Sequence, residues 1–209
     1  MKIRTVNELQ DALDSEFSWR LKEIHDISSR AHLNSASIRA AVALVYAHWE
    51  GFVKASADFY IIFVQSRRLK TNELSSGLKW LSLKNKLESL SLNKKSTTGI
   101  EAMIALEEAL VRRASFSSGF RCRTDSNLSS KVFEEIVTSI GIDYEPYATK
   151  ANFIDKELLE RRNQIAHGER LDLLAGDYIK LKDNVLSLMR ELKTDIENHC
   201  ASKLFKVEP

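Results

Sequence analysis

The chain of 209 residues carries a formal net charge of +2 at pH 7, with 44% hydrophobic and 29% charged residues, which is the composition of an ordinary globular protein. Its two prolines and seven glycines leave no stretch composed like a flexible linker. A chain of this length buries about 70% of its unfolded surface, so we expect one domain over residues 1–209.

The cysteines and the N-terminus indicate a reduced protein. Cys122 and Cys200 are far apart and have no metal-ligand spacing. The first residues, Met1 to Thr5, lack the apolar core of a secretory signal. We therefore expect a cytoplasmic protein that uses no metal and no other cofactor.

Helical patterns begin at the N-terminus. Apolar residues recur at steps of three and four from Val6 to about His32, which predicts an amphipathic helix. Asn34 and Ser35 can cap a second helix, which is predicted from about residue 36 to 69 with no proline and dense apolar residues. At about 1.5 Å per residue this helix is roughly 50 Å long, so it is predicted to form the centre of the fold.

The most apolar part of this helix, Ala40 to Val64, is predicted to be buried in protein and not in a membrane. It is interrupted every few residues by polar side chains, which are His48, Glu50, Lys54 and Asp58. Each charge at a bilayer centre costs about 2.5–3.5 kcal/mol on insertion scales. We therefore expect no contact with a membrane.

The rest of the chain also has helical periodicity. The predicted segments are Leu78–Leu92, Ile100–Val111, Lys131–Ile140, a helix that starts near Phe153, and Asp177 to about Lys203. Ser129 or Ser130 can cap the helix Lys131–Ile140, and Gly141 is predicted to end it. Residues 112–127 are the least regular and are predicted as a loop with room for a short strand. The fold class is therefore all-α, a helical bundle around a long central helix.

Tyr46, Glu50 and Lys54 recur at intervals of four on the central helix and share one face. One interpretation is structural: Glu50 and Lys54 pair along the helix, which is worth about 0.2–0.5 kcal/mol. The other is functional: Glu50 projects into a cleft and orients a catalytic side chain. Gly51 would allow another element to approach closely beside it.

Positive charge is concentrated in the middle of the chain. Residues 67–123 hold twelve Lys or Arg and five Asp or Glu, while the rest of the chain holds nineteen and twenty-four. Four arginines, with Phe116 and Phe120 between them, stand in a stretch without acids: Arg112, Arg113, Arg121 and Arg123. Such clusters bind phosphate backbones, and exposed aromatic rings stack on bases. The alternative is a solvated loop whose phenylalanines anchor it in the core.

The segment from Leu158 to Glu169 is the stretch that most resembles a chemical site. Its helical pattern stops at Gly168 and carries Arg162, Asn163 and His167 near the end. A structural interpretation is open, because histidine near a helix C-terminus complements the dipole and glycine takes the left-handed cap.

The spacing of Arg162 and His167 resembles the R-x4-6-H motif of the HEPN superfamily. Gly168-Glu169 and the earlier run from Tyr46 to Lys54, YAHWEGFVK, are similar to the MAE-type HEPN-like nucleases of bacterial toxin-antitoxin and defence operons. The resemblance covers the whole chain. It implies a HEPN-type bundle with the motif at the end of the penultimate helix, and a metal-independent endoribonuclease.

Other chemistries have less support in the sequence. His48-x-Glu50 has no Pro-Cys-x-x-Cys partner, and the chain lacks H-E-x-x-H, Gly-rich phosphate loops and G-x-S-x-G. RNA cleavage by the ribose 2′-hydroxyl needs only proton transfer and a fixed cation. Histidine suits the first task and arginine the second. Arg162 is therefore expected to hold the phosphate and His167 to move protons, which gives 2′,3′-cyclic phosphate and 5′-hydroxyl ends.

Supporting roles are expected for residues near this pair. Asn163 is expected to orient the imidazole, and Glu169 or Glu50 to set its tautomer, with Tyr46 and Lys54 on the same face as Glu50. Some HEPN toxins carry a tyrosine two places after the histidine, where a partner enzyme modifies it. This chain has Glu169 at that place, which puts that control in doubt.

The resemblance also implies partners. RNA is the expected substrate, a homodimer is expected to join two R-x4-H helices across a two-fold axis, and a cognate antitoxin or operon partner is a further expectation. Two other functions stay open: a non-catalytic HEPN module that binds RNA, nucleotide or a partner protein, and a helical interaction module with no role in nucleic-acid binding.

Overall fold

A computed structural model describes residues 2–30, 34–92, 95–116 and 127–207, and these residues form a helical bundle. Its α-helices are α1 (Val6–Arg30), α2 (Ser35–Ser66), α3 (Ser76–Leu92), α4 (Ser96–Val111), α5 (Ser130–Ser139), α6 (Glu145–Ala148), α7 (Arg161–Ala166) and α8 (Ala175–Ala201). A 3₁₀ turn, Thr71–Glu73, precedes α3, and a π-helical segment, Phe153–Glu160, leads directly into α7. The all-α prediction is confirmed. The short helix α6 lies between the predicted helix Lys131–Ile140 and the one that starts near Phe153, where the sequence pattern predicts no helix.

The central element is α2, as the apolar pattern predicted. Asn34 is its N-cap, with Oδ1 accepting a hydrogen bond from the Ser37 amide at 2.9 Å. The helix packs against α1, α5, α7 and α8, and its Trp49, Phe52 and Tyr60 side chains are completely buried. Nowhere in the described ranges does a helix have the length and apolar character needed to cross a membrane.

A polar cluster joins α1 to α2. The buried Arg20 guanidinium contacts Glu16, lies 3.4 Å from His48 Nδ1 and stacks 4.3 Å from the centre of the Trp19 ring. It also occupies the space beside Gly51, where a Cβ atom would lie 2.7 Å from Arg20 Nη1. Gly51 is therefore explained by a close approach, as expected, but the element that approaches is a guanidinium of α1.

Three chain segments meet beyond the C-terminal end of α2. Lys70 forms an antiparallel bridge with Arg113, and the Ala114 amide donates to the Leu69 carbonyl at 2.9 Å. Leu74 forms a second bridge with Lys206. The described part of residues 112–127 contributes this isolated bridge but no strand, and residues 117–126 lie outside the described ranges.

The end of α3 that faces α5 depends on a glycine. A Cβ atom on Gly77 would overlap the Thr138 carbonyl oxygen and lie 2.9 Å from that of Ser139. These are backbone atoms, so Gly77→Ala forces the two helices apart, and we expect a loss of about 1–3 kcal/mol in the free energy of unfolding. Gly99→Ala in α4 is the matched control, because a Cβ atom there meets no atom within 4 Å and helix propensity favours alanine by up to about 1 kcal/mol. Urea denaturation that shows equal effects for both variants would contradict this packing.

Two buried histidines predict that stability depends on pH. Burial lowers the pKa of His48, and the Arg20 charge lowers it further; burial also lowers the pKa of His199, against the opposing effect of its bond to the Gly141 carbonyl. In the unfolded chain both rings titrate near pH ~6.5, so the unfolded state binds protons first as the pH falls. The free energy of unfolding should be retained above pH ~6.5 and fall below it.

Urea denaturation at pH ~7.5 and ~5.5 measures this dependence. His48→Gln keeps a polar side chain but removes one titrating group, so the variant should lose less stability over the same interval. Equal stability of the unmodified protein at the two pH values would show that the rings are not buried in the neutral form.

Candidate functional site

The helix that carries Arg162 and His167 is anchored at its start and capped at its end. Ile154 and Leu158 of the π-helical segment are fully buried. At the other end Gly168 adopts φ +76°, its amide donates to the Ile165 carbonyl at 3.1 Å, and the Glu169 amide donates to the Gln164 carbonyl at 2.9 Å. This is the glycine cap that the sequence predicted. It leaves the His167 side chain exposed at the end of the helix.

Arg162 lies against the central helix in a set of directed contacts. Its guanidinium carbon is 4.4 Å from the centre of the Tyr46 ring. Nη1 donates to Asn163 Oδ1 at 2.7 Å and to Asn127 Oδ1 at 3.1 Å, and Nη2 lies 3.9 Å from Glu50 Oε2. A cation above an aromatic face and beside a carboxylate is attracted by both. The side chain still keeps 23% of its surface exposed, so part of it is accessible to solvent.

Tyr46 forms the floor under Arg162. It is 1% exposed, and its hydroxyl oxygen accepts a hydrogen bond from the Leu128 amide at 2.6 Å. Burial raises the pKa of Tyr46 to about 12, with a contribution from the Glu50 carboxylate, so the phenol is neutral at physiological pH. The ring is thus a fixed, uncharged surface.

Glu50 lies between two cations, Lys54 and Arg162. Its Oε1 accepts from Lys54 Nζ at 2.6 Å, which is the pairing along the helix, and its Oε2 faces Arg162. The Glu50 side chain is 12% exposed and Lys54 is 37% exposed. Of the two predicted catalytic residues, the one that Glu50 faces is Arg162.

Asn163 and Glu169 have different contacts from those expected. The Asn163 side-chain oxygen is occupied by Arg162, and the Glu169 carbonyl oxygen accepts a hydrogen bond from Arg39 Nη2 at 2.9 Å. Throughout the part of the chain that the structure describes, the His167 ring makes no hydrogen bond to either of them. Their proposed action on the imidazole is therefore not seen in this arrangement.

The structure distinguishes two adjacent arginines that the sequence places side by side. Arg161 Nη1 lies 3.8 Å from Glu157 Oε2, one turn earlier on the helix surface. Arg162 instead contacts Tyr46, Glu50 and Asn127, which come from other parts of the chain. Of the two, the second arrangement places a guanidinium against the buried Tyr46 ring.

Asn127 also contacts Arg162 in the candidate site, although no pattern in the sequence points to it. It lies 35 positions before Arg162 in a stretch without periodicity, immediately before the buried Leu128. A lone asparagine in a loop is most often read as a turn residue. No local signal in the sequence connects it to the arginine.

Of the predicted RNA-binding arginines, the two that the structure describes lie away from this site. Arg112 and Arg113 are exposed beyond the end of α4, next to the C-terminal end of α2, and Arg112 pairs with Glu108 at 2.7 Å. Phe116 is 4% exposed, so it anchors the chain in the core and is not free to stack on bases. Arg121, Arg123 and Phe120 lie outside the described residues.

The chain matches one family model over nearly its whole length. The model is that of the MAE_28990-like HEPN family, and it covers residues 9–205. No curated protein and no solved structure matches the chain.

The Tyr46 hydroxyl can be tested apart from the ring. Tyr46→Phe keeps the aromatic face under Arg162 but removes the hydroxyl's hydrogen bond with Glu50 and leaves the buried Leu128 amide without its acceptor, which costs about 1–3 kcal/mol. We expect that loss in urea denaturation, together with faster hydrogen exchange of the Leu128 amide. Tyr178→Phe is a matched control, because its hydroxyl meets the Ser28 hydroxyl at 2.7 Å and its loss leaves no backbone amide unpaired. Unchanged exchange at Leu128 in Tyr46→Phe would contradict the hydrogen bond.

Proposed function

The chain belongs to the HEPN family, in which ribonucleases are common, and on this premise we propose that it is a metal-independent endoribonuclease with Arg162 and His167 as its catalytic residues. The observation that carries the proposal is the placement of Arg162. Its guanidinium is held between the Tyr46 ring and the Glu50 carboxylate and is still partly exposed. A fixed, accessible cation is what a phosphate in a transition state requires.

In the proposed reaction the ribose 2′-oxygen attacks the adjacent phosphorus. A bond forms between O2′ and phosphorus, and the bond between phosphorus and O5′ breaks. The proton of the 2′-hydroxyl goes to a base, and the departing O5′ takes a proton from an acid. The products are a 2′,3′-cyclic phosphate and a 5′-hydroxyl, and no water or metal ion enters the proton balance.

Arg162 is assigned to the phosphate. A guanidinium offers several hydrogen-bond donors in one plane, which match the oxygens of a phosphate. Tyr46, Glu50 and Asn127 act as positioning residues, because each contacts Arg162 and so reduces the reorganisation needed when charge grows on the phosphate oxygens. Lys54 offsets part of the Glu50 charge, which limits the repulsion between that carboxylate and RNA.

His167 is assigned to proton transfer. An imidazole changes charge near neutral pH and commonly serves as general base or acid. The ring is exposed at the capped end of α7, one residue beyond the helix that carries Arg162. One histidine cannot be base and acid in the same step, so we propose a homodimer in which the second protomer supplies the other imidazole. Leu174 and Ile179 follow the motif helix in the chain and are exposed. They offer an apolar surface that the second protomer would cover.

The reaction can be tested with purified protein and RNA in excess EDTA. The unmodified protein should leave 2′,3′-cyclic phosphate ends. Arg162→Ala should lower the cleavage rate by about 10²–10³-fold, and His167→Ala by about 10²–10⁴-fold. Arg161→Ala is the matched control, because it removes the neighbouring guanidinium, which pairs with Glu157, and should cleave at nearly the original rate.

Stability measurements separate a catalytic from a structural histidine. His167 is exposed, so His167→Ala should change the free energy of unfolding by no more than about 0.3–1 kcal/mol, the value of a contact with the helix dipole. Equal loss of cleavage in Arg161→Ala and Arg162→Ala would contradict the site. Folded, dimeric protein that cuts no RNA would favour a non-catalytic HEPN module that binds RNA or a partner protein.

A further inference from the structure

The structure assembles a second cluster of positive charge that the sequence does not show as one unit. Arg67 and Arg68 end the central helix α2, and Lys70 follows them. The bridge between Lys70 and Arg113 and the bond from the Thr71 amide to the Arg112 carbonyl, at 3.0 Å, bring the arginines after α4 to the same place. We call this cluster the basic end; its members are Arg67, Arg68, Lys70, Arg112, Arg113 and Lys206.

Lys206 reaches the basic end through the C-terminal segment. It forms the bridge with Leu74, and the Ser75 amide donates to the Phe205 carbonyl at 3.0 Å. The Arg67 charge also acts on Cys200 near the end of α8, where it partly offsets the burial that raises the pKa of that thiol to about 12. Three segments that are distant in sequence thus carry their cations to one end of the bundle.

The charge of the basic end is largely uncompensated. All six side chains are exposed. Among the described residues, the carboxylates within five positions of these cations are Glu73, Glu107 and Glu108. Glu108 pairs with Arg112, and Glu73 Oε2 accepts a hydrogen bond from the Lys70 amide at 2.6 Å. Arg68 adopts φ +59°, a backbone conformation that is unfavourable for a side chain other than glycine or asparagine. Strained backbone is often found at functional residues, and here it occurs at an exposed arginine.

The basic end is far from the candidate catalytic site but lies on the same helix. Tyr46, under Arg162, precedes Arg67 by about five to six turns of α2, and at about 1.5 Å per residue this places the two roughly 30 Å apart. Since α2 is continuous from Ser35 to Ser66, the two positions are held at a fixed separation.

We propose that the basic end is a second RNA-binding site that holds the phosphate backbone of a substrate about 30 Å from the bond that is cut. The inference rests on the proposed function and adds to it a preference for long substrates. Exposed Arg and Lys that outnumber their acidic neighbours are the groups that bind phosphate backbones independently of sequence. The buried Phe116 offers no stacking surface, so the binding is expected to be electrostatic.

The length of the RNA provides the first test. At about 3.4 Å per stacked nucleotide, an oligonucleotide of ~4 residues is too short to reach both positions and one of ~16 residues can reach both. Arg68→Gln/Arg113→Gln should raise KM for the long RNA by roughly tenfold, as expected when about two phosphates are no longer neutralised, with little change in kcat. The short RNA should be cut equally by the variant and the unmodified protein.

Binding provides a second test that does not need cleavage. The affinity for the ~16-nucleotide RNA is measured by fluorescence anisotropy on protein carrying His167→Ala, at several salt concentrations. Adding Arg68→Gln/Arg113→Gln should weaken binding and make the log–log salt dependence shallower by about 0.7 for each phosphate that the protein no longer neutralises. Lys22→Gln/Lys180→Gln is the matched control, because it removes the same charge from exposed positions on α1 and α8 and should leave the slope unchanged.

The outcomes separate this inference from the proposed function. Weaker RNA binding in the double arginine variant supports the basic end even if no RNA is cut. If that variant cuts RNA of both lengths at the normal rate, the basic end is not an RNA-binding site, whereas the proposed nuclease activity stands. Poly-glutamate that binds as tightly as the RNA and depends on the same arginines would also overturn it, in favour of an acidic protein partner.

Discussion

The contact between Arg162 and the central helix is the interaction on which the site depends. A guanidinium that lies over the Tyr46 ring and beside Glu50 can be held only if α7 packs closely on α2. The buried side chains of the π-helical segment make that packing, and the Leu128 amide fixes the tyrosine from the other side. The position of the Arg162 guanidinium thus depends on how three parts of the chain pack against one another.

The length of α2 determines the layout of the rest of the molecule. Its N-terminal half carries Tyr46 and Glu50, and the helix packs on α1 and α8. The segments that form the basic end meet at its C-terminal end. In the proposed function the two ends have separate tasks: one holds the reacting phosphate and the other holds the strand that leads to it. A rigid helix suits this arrangement because it keeps the two ends at a constant distance.

The sequence predicted those features that follow from local pattern. Periodicity located α2, Asn34 and Gly168 marked helix ends, and the spacing of Tyr46, Glu50 and Lys54 placed them on one face. The spacing to His167 pointed to Arg162, but pattern could not show that its guanidinium lies against Tyr46, because that contact depends on which side of α7 packs on α2. Nor could it find Asn127 or join Arg68 to Arg113, since tertiary contacts alone bring these residues to their places.

In the proposed function Tyr46 acts on the reaction through Arg162, and a double-mutant cycle separates this coupling from two independent effects. Single-turnover RNA cleavage is measured for the unmodified protein, Tyr46→Leu, Arg162→Ala and the double variant, with folding checked for each. Tyr46→Leu should slow cleavage when Arg162 is present. It should have no further effect when Arg162 is replaced by alanine. Losses that simply multiply in the double variant would show that the two residues act independently, and the site described here would be wrong.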